Sequence, residues 1–269
     1  MITPRPRLSW LVAGLALLLT GCATTSPDSN DTTTAADTTA AVAGTLTIFA
    51  AASLTEAMEQ LEAGFSELYP DVSFEVNLDG SSTLVTQIRE GAQPDLLLTA
   101  DERSMLPVVA EGLAAGDSAI FASNRLTIAV PAGNPAAIAS VEDLARPDLS
   151  VVICAPAVPC GNAAQKVLSA TGVTFTPASE EQNVKSVVAK LRAGEADAGL
   201  VYTTDVAAAG DTLDAVALPT EAVDQALNRY PVVILRDAPN PAAAQAFEDY
   251  LLSDAGQGVL ADLGFGSAT

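Results

Sequence analysis

Thr45 to Phe49 alternates polar and apolar side chains as a half-buried strand does. The chain then passes through Ala50-Ala51-Ala52 into Ser53-Leu54-Thr55-Glu56 and an apolar stripe of Met58, Leu61, Phe65 and Leu68 at helical spacing. The pattern predicts a strand that delivers its end to a helix start. The first turn of a helix leaves N–H groups without intrahelical partners and carries partial positive charge, so this corner suits an anion. Ser53-x-x-Glu56 also reads as a capping box, in which the two side chains satisfy the turn locally. On the residues alone both readings stand.

The alternation of strand and helix continues. Val72 to Leu78 reads as a strand, Asp79-Gly80-Ser81-Ser82 as a turn opening a short helix with Leu84, Val85 and Ile88, and Leu96 to Thr99 as a fully apolar strand. Asp101 caps a helix carrying Met105 and Val109, and Arg125 to Val130 is a strand stopped by Pro131. A second unit of the same kind begins at Val151 to Cys154 and runs through Ala155-Pro156-Ala157-Val158-Pro159-Cys160-Gly161 into a helix with Ala164, Val167 and Leu168. Asn183 caps a helix with Val184, Val187, Val188 and Leu191, and Ala198 to Tyr202 is a short buried strand. Asp214 to Leu218 and Tyr230 to Leu235 are further strands, followed by a helix capped by Asn240 and a last helix ending near Gly264. This rhythm predicts an α/β protein with parallel-rich sheets and a ligand at the carboxyl ends of strands. The crossings divide it into one lobe of residues 45–126 plus 231–269 and another of 127–230.

Four corners recur at predicted helix starts. Besides Ser53 they are the Ser81-Ser82 pair, the N–H of Cys160 between a proline and a glycine, and the N–H of Val184 at a first helical position. Tyr202 puts a phenol at a strand end, where a core or interface tyrosine is the ordinary reading.

Composition narrows the chemistry. With 33 acidic and 12 basic residues the formal net charge is -21, so nucleic acid is not an expected partner. The chain contains no histidine, which removes the commonest proton carrier of hydrolytic sites. A serine nucleophile at Ser53 or Ser81 would need a lysine partner, and no pattern brings Lys166, Lys185 or Lys190 to either. An enzyme is therefore not expected.

Arg5 and Arg7 precede the apolar run Leu8 to Thr20, which is short for a membrane span and placed as a secretory signal is. Leu19-Thr20-Gly21-Cys22 resembles a bacterial lipobox. That resemblance implies a signal peptide over residues 1–21, lipid on Cys22, a flexible tether over 22–44 poor in apolar periodicity, and an extracytoplasmic location on the membrane. In such an oxidising setting a disulfide between Cys154 and Cys160 is favoured over metal ligation, a poor fit for two thiols without histidine, or a pair of free thiols.

Taken in order, Phe49-Ala50-Ala51-Ala52-Ser53-Leu54-Thr55, Gly80-Ser81-Ser82-Thr83-Leu84, Val158-Pro159-Cys160-Gly161, Asn183-Val184 and Gly199-Leu200-Val201-Tyr202 resemble the molybdate-binding proteins of bacterial ABC transporters. The likeness spans Thr45 to Phe265. It implies a two-lobed periplasmic-binding-protein fold of type II, each lobe a mixed, mostly parallel sheet flanked by helices, with the ligand in the interlobe cleft. It further implies that molybdate or tungstate is held by Ser53, Ser81, Cys160, Val184 and Tyr202 with molybdenum touched only through its oxygens, that no cofactor is needed, and that a monomer passes the anion to an ABC permease. Another tetrahedral oxyanion such as sulfate, or a role in anion sensing, is the alternative.

Overall fold

The computed structural model describes residues 42–268, so the leader, Cys22 and nearly all of the expected tether lie outside the described residues. The described chain forms, in order, β1 (Gly44–Ala51), α1 (Thr55–Leu68), β2 (Val72–Asp79), α2 (Ser81–Arg89), β3 (Leu96–Leu98), α3 (Glu102–Ala110), β4 (Ala119–Asn124) and β5 (Leu126–Pro131). It continues with β6 (Val151–Cys154), α4 (Pro159–Thr171), β7 (Ser179–Glu181), α5 (Val184–Arg192), β8 (Ala198–Tyr202), α6 (Thr203–Ala209), β9 (Leu213–Val216), α7 (Thr220–Gln225), β10 (Asn228–Ile234), α8 (Pro241–Leu252) and α9 (Asp254–Asp262). Among the described residues no helix is long and apolar enough to cross a membrane.

The strands form two sheets with one topology. The first has the order β2-β1-β3-β10-β4 and the second β7-β6-β8-β5-β9. In the first, β1 pairs parallel with β2 and β3, and β10 runs antiparallel to both of its neighbours. In the second, β6 pairs parallel with β7 and β8, and β5 runs antiparallel to β8 and β9. Each sheet thus contains a single reversed strand, and it is the strand that has just crossed from the other sheet.

The crossings fall slightly earlier than the sequence suggests. Leu126 already pairs with Tyr202 in the second sheet, and Asn228 to Tyr230 already pair with β4 in the first. β4, β7, α6 and α7 are further elements that the apolar pattern does not announce. β7 is a three-residue edge of polar side chains, Ser179-Glu180-Glu181, while α6 and α7 are short helices with little apolar stripe.

Parallel strands aim their carboxyl ends one way, so the turns after β1, β2, β3, β6, β7 and β8 gather where the two sheets face each other. Behind each sheet the helices close a core. In the first half it centres on Phe65, fully buried, with Tyr69, Phe247, Tyr250 and Phe74 ring centroids 4.6 to 5.8 Å away. Phe65→Ala leaves a cavity that this ring cluster cannot refill. It is expected to cost about 3–5 kcal/mol, read as a lower urea midpoint at unchanged slope; a loss under about 1 kcal/mol would contradict the packing described.

Candidate functional site

Ser53 lies in a 3-10 turn, Ala52–Leu54, between β1 and α1. Its hydroxyl shares a 2.9 Å hydrogen bond with the Tyr230 hydroxyl, and α1 has no side-chain cap. Glu56 turns instead to Lys185, so the local capping box predicted as one reading does not form. A tertiary partner replaces the local one, and Ser53 is left buried at the edge of a cavity.

Ser81 opens α2. Its oxygen accepts from the Ala100 N–H at 3.0 Å, which leaves the hydroxyl proton for another acceptor. Gly80 before it has no Cβ because one would collide with the Gln182 carbonyl oxygen, on the segment between β7 and α5. The two halves are in close contact here.

Cys160 takes the second position of α4, behind Pro159 at the first, where an N–H has no acceptor within the helix. A disulfide joins it to Cys154 at the end of β6, with Cα atoms 5.7 Å apart, as the sequence favours; metal ligation and free thiols are thereby set aside. The loop is folded tightly enough that a Cβ on Gly161 would strike the Ala155 carbonyl. Val184 opens α5 under the Asn183 cap, whose side-chain oxygen accepts from the Ser186 N–H at 3.0 Å.

Tyr202 ends β8 and is buried. Its N–H donates to Asp205 at 3.2 Å, and its hydroxyl receives a hydrogen bond from the Asn228 amide at 3.0 Å. Burial pushes the Tyr202 and Tyr230 hydroxyls well above the ordinary phenol range, so both keep their protons.

The five predicted positions therefore line one cavity, together with Ala51, Ala52, Asp79, Gly80, Ala100, Val158, Pro159 and Asn183. The space admitting the centres of water-sized spheres is about 20 Å³, where one water needs about 10–15 Å³. A ligand of a few atoms fits there and a sugar or peptide does not. Among the described residues no lysine or arginine lines the cavity. Asp79 does, but its Oδ1 accepts from the Gly80 N–H at 2.7 Å and from the Asn183 amide at 2.9 Å, the latter bond crossing the cleft. Ser82 adds a second crossing, donating to the Ala157 carbonyl at 2.7 Å.

A third crossing is ionic. Lys185 on α5 meets Glu56 of α1 at 2.7 Å and Asp205 of α6 at 2.9 Å. Burial works against its ammonium, yet the two carboxylates outweigh it and hold the lysine above its ordinary pKa. Asp205 thus meets Lys185 through Oδ1 and the Tyr202 N–H through Oδ2. Desolvation raises its carboxyl to about 6 despite Lys185. Tyr230, Asn228 and Asp205 were not read as site residues. Tyr230 looks like core within an apolar strand, and Asn228 and Asp205 sit in segments without periodicity.

This geometry is that of a two-sheet binding protein with a small cavity where the sheets meet. The chain is a member of the family of bacterial extracellular solute-binding proteins, which it matches over residues 46–266. It is 38% identical over 255 residues to the molybdate-binding protein ModA of Mycobacterium tuberculosis (strain ATCC 25618 / H37Rv), covering 95% of this chain and 94% of that one. Its fold is similar to the periplasmic molybdate-binding protein of Azotobacter vinelandii, at TM-score 0.72 and 20% identity over 82% of this chain and 98% of that one. It is equally similar to the sulfate-binding protein SubI of Mycobacterium tuberculosis H37Rv, at TM-score 0.72 and 20% identity over 82% and 86%. At 20% identity these two likenesses speak to the fold alone.

Asp205 yields a pH prediction. Its folded pKa of about 6 lies above the ordinary 3.8, so the folded state binds more protons between these values and stability falls as pH rises through that window. Asp205→Asn removes the titration. The melting temperature of the wild type minus that of the variant is expected to fall from pH 4 to pH 6 and then level; a constant difference would refute the assignment.

Proposed function

We propose that this protein captures molybdate, and tungstate with it, between its two halves and delivers the anion to an ABC permease. The observation that carries the reading is a few-atom cavity into which hydrogen-bond donors converge without a cationic side chain. The hydroxyls of Ser53, Ser81 and Tyr202 and the N–H groups of Cys160 and Val184 are the proposed ligands. They belong to both halves of the chain, so a bound tetrahedron bridges the sheets. Each hydrogen bond to a charged acceptor is worth about 1.5–3 kcal/mol, which lets neutral donors hold a dianion.

Domain closure follows from that bridging. An anion that reaches donors on both sides only when they are close stabilises the closed form by its differential affinity. The 38% identity to a molybdate-binding relative supports molybdate as the anion, and the likeness to SubI keeps sulfate as the competitor to be tested. Delivery to a membrane permease, a lipid anchor on Cys22 and a monomeric state complete the proposal. Catalysis is not part of it. Lys185 and Lys190 are already paired with carboxylates, which leaves them poor partners for a serine nucleophile.

Calorimetric titration with molybdate, tungstate, sulfate and phosphate tests the reading. Tight binding of the first two and weak or absent binding of the others is expected; heat from sulfate with none from molybdate would overturn it. Ser81→Ala should weaken molybdate binding about 10- to 100-fold, the loss of one charge-assisted bond. Gly80→Ala tests closure itself. Its Cβ collides with Gln182 only when the halves meet, so affinity should drop while the melting temperature of the free protein stays nearly unchanged. Undiminished affinity in that variant would rule out closure on the anion.

A further inference from the structure

We propose that Asn228 is a positioning residue for oxyanion capture. It commits the Tyr202 hydroxyl to donating, so that this hydroxyl presents a proton and no lone pair to the cleft, and it thereby sets a preference for fully deprotonated tetrahedral oxyanions over protonated ones. The inference rests on the function proposed above and deepens it.

The argument begins with proton bookkeeping at one buried amide. Asn228 is 4% exposed, and its Nδ2 donates to the Ala100 carbonyl at 2.7 Å and to the Tyr202 hydroxyl oxygen at 3.0 Å. A carbonyl can only accept, so turning the amide over would set two acceptors against each other. The orientation is therefore fixed by Ala100. Both amide protons are committed, and Tyr202 must receive one of them. Its own proton then has two outlets, the cavity that Tyr202 lines and the neighbouring Tyr230 oxygen. An oxyanion in the cavity wins, because a hydrogen bond to a charged acceptor is about twice as strong as a neutral one.

The link into the other crossing strand, β5, begins at a second asparagine. Asn124 on β4 lies directly opposite Asn228 on β10. Its Oδ1 accepts from the Arg125 N–H at 2.9 Å and from the Thr203 hydroxyl at 3.2 Å, which turns its Nδ2 toward Thr204 at 2.8 Å. Of the two asparagines, Asn228 is the one bonded to a tyrosine hydroxyl. A hydrogen phosphate, which has a proton of its own to place, meets no free acceptor at Tyr202.

Asn228→Asp reverses the polarity at nearly constant shape. At so buried a site the carboxyl stays protonated, donates to Ala100 and accepts from Tyr202, which then turns lone pairs toward the cleft. Calorimetry on the unmodified protein, Asn228→Asp, Tyr202→Phe and the double variant tests this, with Asn228→Ala as a second probe and thermal melts as the folding control. In the presence of the Tyr202 hydroxyl, Asn228→Asp should weaken molybdate binding at least 10-fold and shift the ratio of molybdate to hydrogen phosphate affinity by a similar factor. In the Tyr202→Phe background, Asn228→Asp and Asn228→Ala should each change molybdate affinity less than 2-fold. Equal losses with and without that hydroxyl, or Asn228→Asp affinities within 2-fold of the unmodified protein, overturn the inference while leaving molybdate capture standing. Failure of the unmodified protein to bind molybdate overturns the underlying function first and the inference with it.

Discussion

The arrangement depends on one constraint, that polar groups brought together where the two sheets meet, half-buried for the most part and fully buried at Asn228, find partners on the facing side. A donor or acceptor stranded where burial is complete costs about 1–3 kcal/mol and less where water reaches it, so misalignment is penalised at several points at once. Asp79 with Asn183, Ser82 with Ala157, Lys185 with Glu56, and Asn228 between Ala100 and Tyr202 each fix a different part of the approach. On opening, water replaces these partners, and the net worth of a satisfied bond is only about 0.5–1.5 kcal/mol. Alignment is thus strict while the balance between open and closed stays shallow. A ligand bridging the two sides can decide it.

Charge explains why the donors are neutral. A chain of formal charge -21 repels a free anion at long range, and that repulsion is screened within about 8 Å at physiological salt. Short-range, desolvated hydrogen bonds are then the available attraction. Lys185 lies close to Ser53's helix, yet Glu56 and Asp205 consume its charge and turn it into a strut between the halves. Attraction by hydroxyl and amide protons depends on the acceptor capacity of the ligand, which charge alone does not measure. That makes the protonation state of the anion a selectable property.

Much of this was legible in the chain because the predicted ligands follow one rule of topology. Ser53, Ser81, Cys160 and Val184 sit just past the ends of parallel strands, at helix starts, and Tyr202 is the last residue of such a strand. Local pattern marks those places. It cannot mark Tyr230, which reaches Ser53 across 177 positions of sequence, nor Asn228, whose strand reads as beginning two residues later. The capping box fails for the same reason, since Glu56 finds a stronger partner on the distant α5 than its own turn provides. Short elements such as β7 and α7 carry too few apolar side chains to register, and the edge of a sheet and the flank of a helix hold them in place.

The shared topology of the sheets gives the crossing strands a second role. β5 and β10 are each the reversed strand of a sheet, bonded on both sides to strands of the half they have entered. Any rotation of one half against the other must therefore be absorbed at the short links before them, beside Arg125 and ahead of Asn228. Of the asparagines opposite each other at these links, Asn228 is bonded to the tyrosine hydroxyl that lines the cavity. A hinge movement there cannot leave that hydroxyl undisturbed. Opening withdraws the facing donors and loosens the polarity of those that remain, so release of the anion is built into the same residues that orient its capture.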